Sequence, residues 1–598
     1  MSTAILTGPP VAGSPLEGNL RALGFDVRTA DGPHAAADLL AAVPAGERVA
    51  LVDPRFVGHL HALRLALTDP RFAAAAVPGA LTAQPQARAA LARAATAVPA
   101  GPSAASTDDE PLPDALAAAL DAGDEPPHRV ELGSLVAAVP LTPAERERAE
   151  AAVAAVDEEA VRLRSAVKSR DGFFTTFFIS PYSRYLARWC ARRGLTPNQV
   201  TTASLITALI AAGCAATATR GGFVAAGVLL LLSFVLDCTD GQLARYSLQY
   251  STMGAWLDAT FDRAKEYAYY AGLALGAARG GDDVWALALG AMVLQTCRHV
   301  VDFSFNEANH DATANTSPTA ALSDRLDSVG WTVWVRRMIV LPIGERWAMI
   351  AVLTAVTTPR IVYYALLIGC ALAACYTTAG RVLRSVTRRA RRTDRAAQAL
   401  ADLADSGPLA RIVAKGPAAG GAVTAPVMAF AGLAFLLAQL AWQPAGTWWP
   451  VLGAAVYVLF AGAAVARPLK GPLDWLVPPL FRVGEYVTIL VLAARSGVPG
   501  ALPAAFGLVA AVAYHHYDTV YRIRGGSGAP PRWLVRATGG HEGRTLVVAV
   551  LAALLHSTGF TIALTALAVA LALLVLIESI RFWVSSQAPA VHDEGEPA

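Results

Sequence analysis

Charge is what this sequence has least of. Only 16% of its 598 residues are Asp, Glu, Lys or Arg, against about a quarter in an ordinary soluble domain. With 55% hydrophobic residues, much of the chain must face something other than water. Cysteine is scarce too: the six residues at 190, 214, 238, 297, 370 and 375 form no C-x-x-C pair. That pattern argues against a disulfide framework or a zinc site and for small buried hydrophobes. A net charge of +3 and the lack of a basic patch interleaved with aromatics exclude nucleic acid as the expected partner. The opening MSTAILTGPP lacks the basic-then-apolar order of a secretory signal, so the first domain is expected to stay in the cytoplasm.

The apolar surplus is unevenly spread. Over residues 1–130, short apolar runs (Ala4–Leu6, Phe25–Val27, Val49–Val52) alternate with Ala/Leu-rich stretches, the rhythm of a soluble α/β domain. A Pro-, Ser- and acid-rich stretch near 100–128 reads as a loose connection. Residues 140–198 are expected to be juxtamembrane helices. One charged helix spans 142–168, capped by Thr142 with Glu145 three residues on. An interfacial helix follows, in which Phe and Tyr alternate with Arg184, Arg188, Arg192 and Arg193.

Runs of about 20 apolar residues, the length that crosses a bilayer, then recur. They lie near 199–218, 222–244, 254–278, 284–305, 346–357 and 360–383, then near 422–442, 447–466, 473–495, 500–521, 544–557 and 560–583. The expected fold class is therefore an all-α polytopic membrane protein of about twelve transmembrane helices, six plus six, behind an N-terminal soluble α/β domain. A six-helix domain at 199–385 and a second at 421–585 are joined by a basic cytoplasmic linker at 386–420, and 586–598 is a disordered tail. Arg and Lys cluster before the first span and after the second, sixth, eighth and tenth, which places both termini on the cytoplasmic side of the cell membrane.

Asp237-Cys-Thr-Asp240-Gly241-Gln-Leu-Ala244-Arg245 closes the second span, and Gly254, Asp258 and Asp262 open the third. Spacings of three and four put each aspartate pair on one helix face, and the short connection makes the two helices antiparallel neighbours. Four carboxylates meeting near the membrane boundary would repel each other at a cost of several kcal/mol unless cations sit among them. All-oxygen ligation selects Mg²⁺, with Mn²⁺ or Ca²⁺ behind it, and four carboxylates suffice for two ions, an arrangement suited to phosphoryl transfer. Gly241 and Ala244 leave room for a nucleotide, Gly254 permits close helix packing, and Arg245 offers a fork of donors to phosphate.

Every fixed position matches the D-x2-D-G-x2-A-R-x8-G-x3-D-x3-D signature, so the chain resembles the CDP-alcohol phosphotransferases over about 171–385. The resemblance implies that Asp237, Asp240, Asp258 and Asp262 bind two metals that hold a CDP diphosphate. It also implies that Asp262 takes the acceptor proton and that CMP leaves. Six transmembrane helices and a dimer are further implications. The N-terminal arrangement is similar to inositol-phosphate cytidylyltransferase fusions. The partners implied are a CDP-alcohol donor, a hydroxyl acceptor and membrane lipids. The alternative, a secondary transporter using intramembrane carboxylates, calls for acids in both halves, and the second half lacks them.

The second half can be laid on the first. Trp256, Arg263, Glu266 and Tyr267 match Trp475, Arg482, Glu485 and Tyr486; His299 and Asp302 match His515 and Asp518; Arg346 matches Arg544. The aspartates are replaced by Leu459, Gly462, Val477 and Phe481. Either this is a catalytically dead repeat standing where a dimer would place its second subunit, or an unrelated bundle. His515, His516, Asp518, His541 and Glu542 show no repeating metal-ligand spacing and read as structural hydrogen-bonding groups. Arg192, Arg193 and Arg298 could bind an acidic acceptor or lipid phosphate, and 306–327 is long enough for a substrate lid. At the N-terminus, prolines fill the Gly8–Gly13 loop where phosphate-cradling amides would be needed, and Asp53 lacks an acidic companion. The domain reads as an inactive nucleotidyltransferase-like or regulatory unit.

Overall fold

A computed structural model describes residues 2–97, 110–123, 126–168, 171–310, 334, 338–387, 391–416, 421, 424–444 and 446–586. Most of the expected lid at 306–327 and nearly all of the expected tail at 586–598 lie outside the described residues. The chain divides into two units. One comprises residues 1–169 with 182–197 and 239–250, and the other comprises the remainder.

In the first unit, strands β1 (Ser2–Leu6), β2 (Phe25–Thr29), β3 (Arg48–Val52), β4 (Val57–Gly58), β5 (Ala74–Val77), β6 (Ala80–Ala83), β7 (His128–Arg129) and β8 (Ala137–Ala138) form two sheets. The larger has the order β2-β1-β3-β6-β5-β7. Strand β1 runs parallel to β2 and β3, with Ala4 beside Val27 and Ala50, and β6 reverses direction. Alternation sends successive side chains to opposite faces. Ile5 and Leu51 meet α2 (Pro33–Ala42), α4 (Arg88–Ala97) and α5 (Leu112–Asp121) on one face. Leu6 and Val52 meet α1 (Leu16–Ala22) and α3 (Leu60–Thr68) on the other. The stretch expected to be a loose connection thus contains α5, which forms because Leu116, Ala117 and Leu120 recur on one face and bury there.

The charged helix expected over 142–168 is two helices, α6 (Pro143–Ala154) and α7 (Glu158–Ser165). Asp157 breaks it, because its carboxylate accepts from the Ala160 amide and caps a new start. The Thr142–Glu145 capping box is present in full. Next, α8 (Ser180–Arg192) exposes Tyr182, Tyr185 and Trp189, the apolar surface an interfacial helix needs.

The chain continues with α9 (Pro197–Ala216), α10 (Arg220–Ser247), α11 (Thr252–Arg279), α12 (Trp285–Asn309), α13 (Ile343–Val356), α14 (Pro359–Thr387), α15 (Asp394–Leu403), α16 (Pro408–Val413), α17 (Thr424–Trp442), α18 (Trp449–Ala464), α19 (Val477–Arg495), α20 (Ala501–Arg524), α21 (Arg532–Thr538), α22 (Gly540–Leu554) and α23 (Thr558–Ser585). Six described helices are long and apolar enough to cross a membrane: α9, α10, α14, α17, α19 with its preceding turn, and α23. Helices α11, α12 and α20 are more polar because they turn Lys265, Glu266, Gln295, Arg298, His515 and Asp518 inward, where all six are buried.

Small residues set the spacing of the bundle. A Cβ on Gly272 would lie 2.4 Å from the Ala212 carbonyl, and one on Gly276 would lie 2.1 Å from that of Ala215. Helices α9 and α11 therefore touch backbone to backbone, as Gly-x-x-x-Gly faces allow. Residues 386–420 are not an extended linker throughout, since α15 and α16 bury Leu400, Leu403 and Ala410 in the bundle. One apolar core runs through both halves. Trp256 stacks near Trp583 at 6.0 Å, Trp285 meets Phe506 edge-on at 5.7 Å, and Phe305 meets Trp475 at 5.3 Å.

Candidate active site

Two helix ends build the site. Helix α10 carries Asp237, Asp240, Gly241, Ala244 and Arg245 in its final turns, and α11 begins at a Ser251 cap whose hydroxyl accepts from the Gly254 amide at 2.9 Å. Gly254 has little room for a side chain: a Cβ there would stand 2.9 Å from Asn198 Oδ1 and 2.8 Å from Ser251 Oγ. The same tight start sends Asp258 and Asp262 inward one turn apart. Asp237, Asp240 and Asp258 each offer a carboxylate oxygen, and these lie within 4.8 Å of one another. Among the described residues no other group of His, Cys, Asp or Glu is placed to hold a metal. Three hard oxygen donors at that separation suit a divalent cation better than their own mutual repulsion.

Asp262, the fourth aspartate of the motif, has different company. Its Oδ1 lies 2.9 Å from Lys265 Nζ, and its Oδ2 lies 4.0 Å from Arg263. Lys265 also hydrogen-bonds Asp237 Oδ1 and donates to Ser204 Oγ at 3.2 Å. Lys265 and Ser204 escaped the sequence reading. A lysine three residues past Asp262, one helical turn on along α11, was the available signal. On α10, the Arg245 guanidinium lies 3.5 Å from where a Gly241 Cβ would be, and its Nε donates to the Ala166 carbonyl at 2.6 Å. Gly241 thus leaves the arginine its place along the helix.

Beneath the aspartates sits a buried ion triad. Arg263 Nη1 donates to Glu266 Oε2 at 3.0 Å, while Arg346 Nε lies 3.2 Å from Oε1 and its Nη2 3.3 Å from Oε2. The second half contains its counterpart atom for atom. Arg482 Nη1 donates to Glu485 Oε2 at 2.7 Å, while Arg544 Nε lies 2.5 Å from Oε1 and its Nη2 3.3 Å from Oε2. Asp405 joins this second triad, 2.7 Å from Arg544 and 3.4 Å from His515. His541 meets Tyr457 Oη at 2.9 Å, and Glu542 accepts from the amides of Gly407 and Ala410. The second half thus does bury acids, Glu485, Asp518 and Glu542, where none was expected, and each is engaged within the protein.

Other candidates are occupied in the same way. Arg298, considered for acceptor binding, is buried with its guanidinium on the carbonyls of Val340 and Leu341. Asp53 is gripped by Arg55 through two bonds of 2.9 and 3.0 Å. Arg192 and Arg193 lie at the end of α8, with Arg193 over the Trp189 ring.

Comparison with known proteins follows the same division of the chain. Residues 194–373 match the CDP-alcohol phosphatidyltransferase family, and residues 394–598 match a family of unknown function (DUF5941). A phosphatidylinositol phosphate synthase of Streptomyces avermitilis is 35% identical over 130 residues, which is 21% of this chain and 51% of the relative. An archaetidylinositol phosphate synthase of Pyrococcus horikoshii is 29% identical over 113 residues, 19% of this chain and 58% of the relative. A bifunctional IPC transferase and DIPP synthase of Rubrobacter xylanophilus is 41% identical over 83 residues, 14% of this chain and 18% of the relative. The chain spans little more than half the length of the first two.

Proposed function

We propose that residues 194–373, which belong to the CDP-alcohol phosphatidyltransferase family, transfer the alcohol-bearing phosphate of a CDP-alcohol to an acceptor hydroxyl with release of CMP. The observation that carries this reading is the meeting of three aspartate carboxylates within 4.8 Å, inside a signature in which every fixed residue is present. Asp237, Asp240, Asp258 and Asp262 would hold two Mg²⁺ or Mn²⁺ ions, which when bound neutralise the oxygens of the diphosphate.

The remaining work falls to side chains. The acceptor oxygen bonds to the phosphorus that carries the alcohol, the bond from that phosphorus to the bridging oxygen breaks, and CMP departs with that oxygen. Asp262 accepts the hydroxyl proton, and Lys265 and Arg263 on either side hold its carboxylate in place. Gly241 leaves room along α10 for the Arg245 guanidinium, which would meet the phosphates of a nucleotide admitted past Ala244.

Two relatives are named for the synthesis of inositol phosphate lipids, so CDP-diacylglycerol with an inositol phosphate is the first pair to test. Purified full-length protein is given labelled CDP-alcohols, acceptors and Mg²⁺, and CMP release is followed. The reading expects release that drops by at least about 100-fold in Asp258→Asn and Asp262→Asn. Release undiminished in both variants would count against it.

The second half reads best as a repeat that has lost its chemistry. The matched Glu266 and Glu485 triads support this, and so does the corner corresponding to the aspartates. There Gly462 stands for Asp240, and a Cβ on it would lie 2.5 Å from Val413 and 2.8 Å from the Ala410 carbonyl. Helix α16 fills what is substrate space in the first half. The two halves form an intramolecular pseudo-dimer of twelve crossings, with both termini and the site on the cytoplasmic side. The soluble domain, with proline in its loop and Asp53 held by Arg55, acts as an inactive or regulatory appendage.

A further inference from the structure

Lys265 stands among the aspartates, and the signature does not account for it. It follows Asp258 and Asp262 along α11 at spacings that keep all three on one face. Its side chain is wholly buried, and its ammonium group has three donors. Each donor has a partner: Asp237, Asp262 at 2.9 Å, and Ser204 at 3.2 Å. The Trp347 ring closes the remaining side, its centroid 5.6 Å from Nζ. An ammonium so enclosed bridges Asp237 and Asp262 and so competes with any divalent ion for those two carboxylates.

Charge makes the conflict specific. Four carboxylates against one ammonium leave three net negative charges, and one divalent ion at Asp237, Asp240 and Asp258 reduces that to one. A further divalent ion beside the ammonium would make the site positive, with like charges only a few ångströms apart in a medium that screens poorly. A bound diphosphate adds the negative charge that removes this objection.

Resting on the phosphotransferase reading above, we propose that Lys265 is the resting-state counter-cation of Asp237 and Asp262. The nucleotide-free site then takes a single divalent ion, and the second enters only with the donor's diphosphate. Lys265 is in this sense a positioning residue: it holds Asp262 in place and keeps its carboxylate from a metal until substrate arrives.

The test counts Mn²⁺ on the purified full-length protein in detergent, by equilibrium dialysis and by electron paramagnetic resonance. A pair of ions a few ångströms apart gives an exchange-coupled spectrum that a lone ion does not. Wild type is expected to bind one Mn²⁺ without nucleotide and two, coupled, with saturating CDP. Lys265→Met is expected to bind the coupled pair without CDP, with affinity for the second ion raised at least about tenfold. Two coupled ions in nucleotide-free wild type, or a single ion in nucleotide-free Lys265→Met, would overturn the proposal. Should Lys265→Met fail to fold, the wild-type counts with and without CDP decide alone. Wild type binding no more Mn²⁺ than Asp237→Asn would instead sink the metal-site reading itself.

Discussion

Tyr517 Oη and His299 Nδ1 stand 2.5 Å apart, joining the C-terminal half to the helix that backs the aspartate site. The same tyrosine ring lies 5.4 Å from the guanidinium carbon of Arg263, the neighbour of Asp262, and Arg263 Nη1 lies 3.3 Å from His299. A residue of one half therefore helps to fix the side chains next to the proposed base of the other.

Tyr517→Phe keeps the ring and removes one hydrogen bond worth about 1 kcal/mol. Spread into the transition state, that loss corresponds to a kcat lowered by about fivefold. KM should stay near its wild-type value, because Tyr517 faces Arg263 and His299. Tyr517→Ala, which also removes the surface under Arg263, should fall further. Steady-state kinetics on folded variants checks this, and an unchanged kcat in Tyr517→Phe would mean that the second half does not bear on the site.

Glu266 and Glu485 each hold two buried arginines, but Asp405 shares the load with Glu485, pairing with both Arg482 and Arg544. Replacing Glu266 by Gln takes from Arg346 the carboxylate that holds it, a change that typically costs about 3–5 kcal/mol. Glu485→Gln, with Asp405 still in place, should lower the unfolding midpoint in detergent by less. Only Glu266→Gln, beside the aspartates, should also reduce the CMP release that survives below its own midpoint. A midpoint that falls as far in Glu485→Gln as in Glu266→Gln would show that Asp405 does not share the second triad's charge.

What could be read from the sequence divides along physical lines. The aspartates were legible because helix spacing alone brings Asp237 next to Asp240, and a short turn brings α11 back beside α10. The repeated Arg–Glu pairs were visible as residue matches, but their third members, Arg346 and Arg544, join only through tertiary packing. Lys265 was hidden, since nothing in a linear pattern says that an ammonium group will reach Asp237 and Ser204 on two other helices as well as Asp262 on its own. Helix α5 and the α15–α16 pair were missed for a related reason: Pro- and charge-rich surroundings masked the few apolar residues that dock them. The break at Asp157 is a local cap, and a continuous charged pattern conceals such caps.

Gly276 tests how much the first bundle depends on close approach. An alanine Cβ would meet the Ala215 carbonyl at 2.1 Å, and that atom belongs to the backbone of α9, so the helices themselves must part. Overpacking of this kind costs about 1–3 kcal/mol. Gly276→Ala should lower the unfolding midpoint, whereas Gly213→Ala, with open space around its position, should not. Equal midpoints would show that α9 and α11 can slide apart freely.

His61 gives the soluble unit a pH dependence with a defined sign. The residue is 2% exposed, and its imidazole is held down to about 4, first by burial and then by the positive charges of Arg162 and Arg64. The unfolded chain takes up the proton near pH 6.5, well above the folded state. Stability is therefore unaffected above that value, falls as pH drops from about 6.5 to about 4, and levels off below. By linkage the loss at pH 5 is about 2 kcal/mol. It should appear as reduced amide protection in α3, measured relative to the intrinsic exchange rate at each pH; the His61 amide there donates to Glu158 at 2.9 Å. His61→Gln should flatten that dependence between pH 7 and 5 while leaving the aspartate site untouched. Protection in α3, relative to the intrinsic rate, that falls equally in wild type and His61→Gln over this range would place the acid sensitivity on another group.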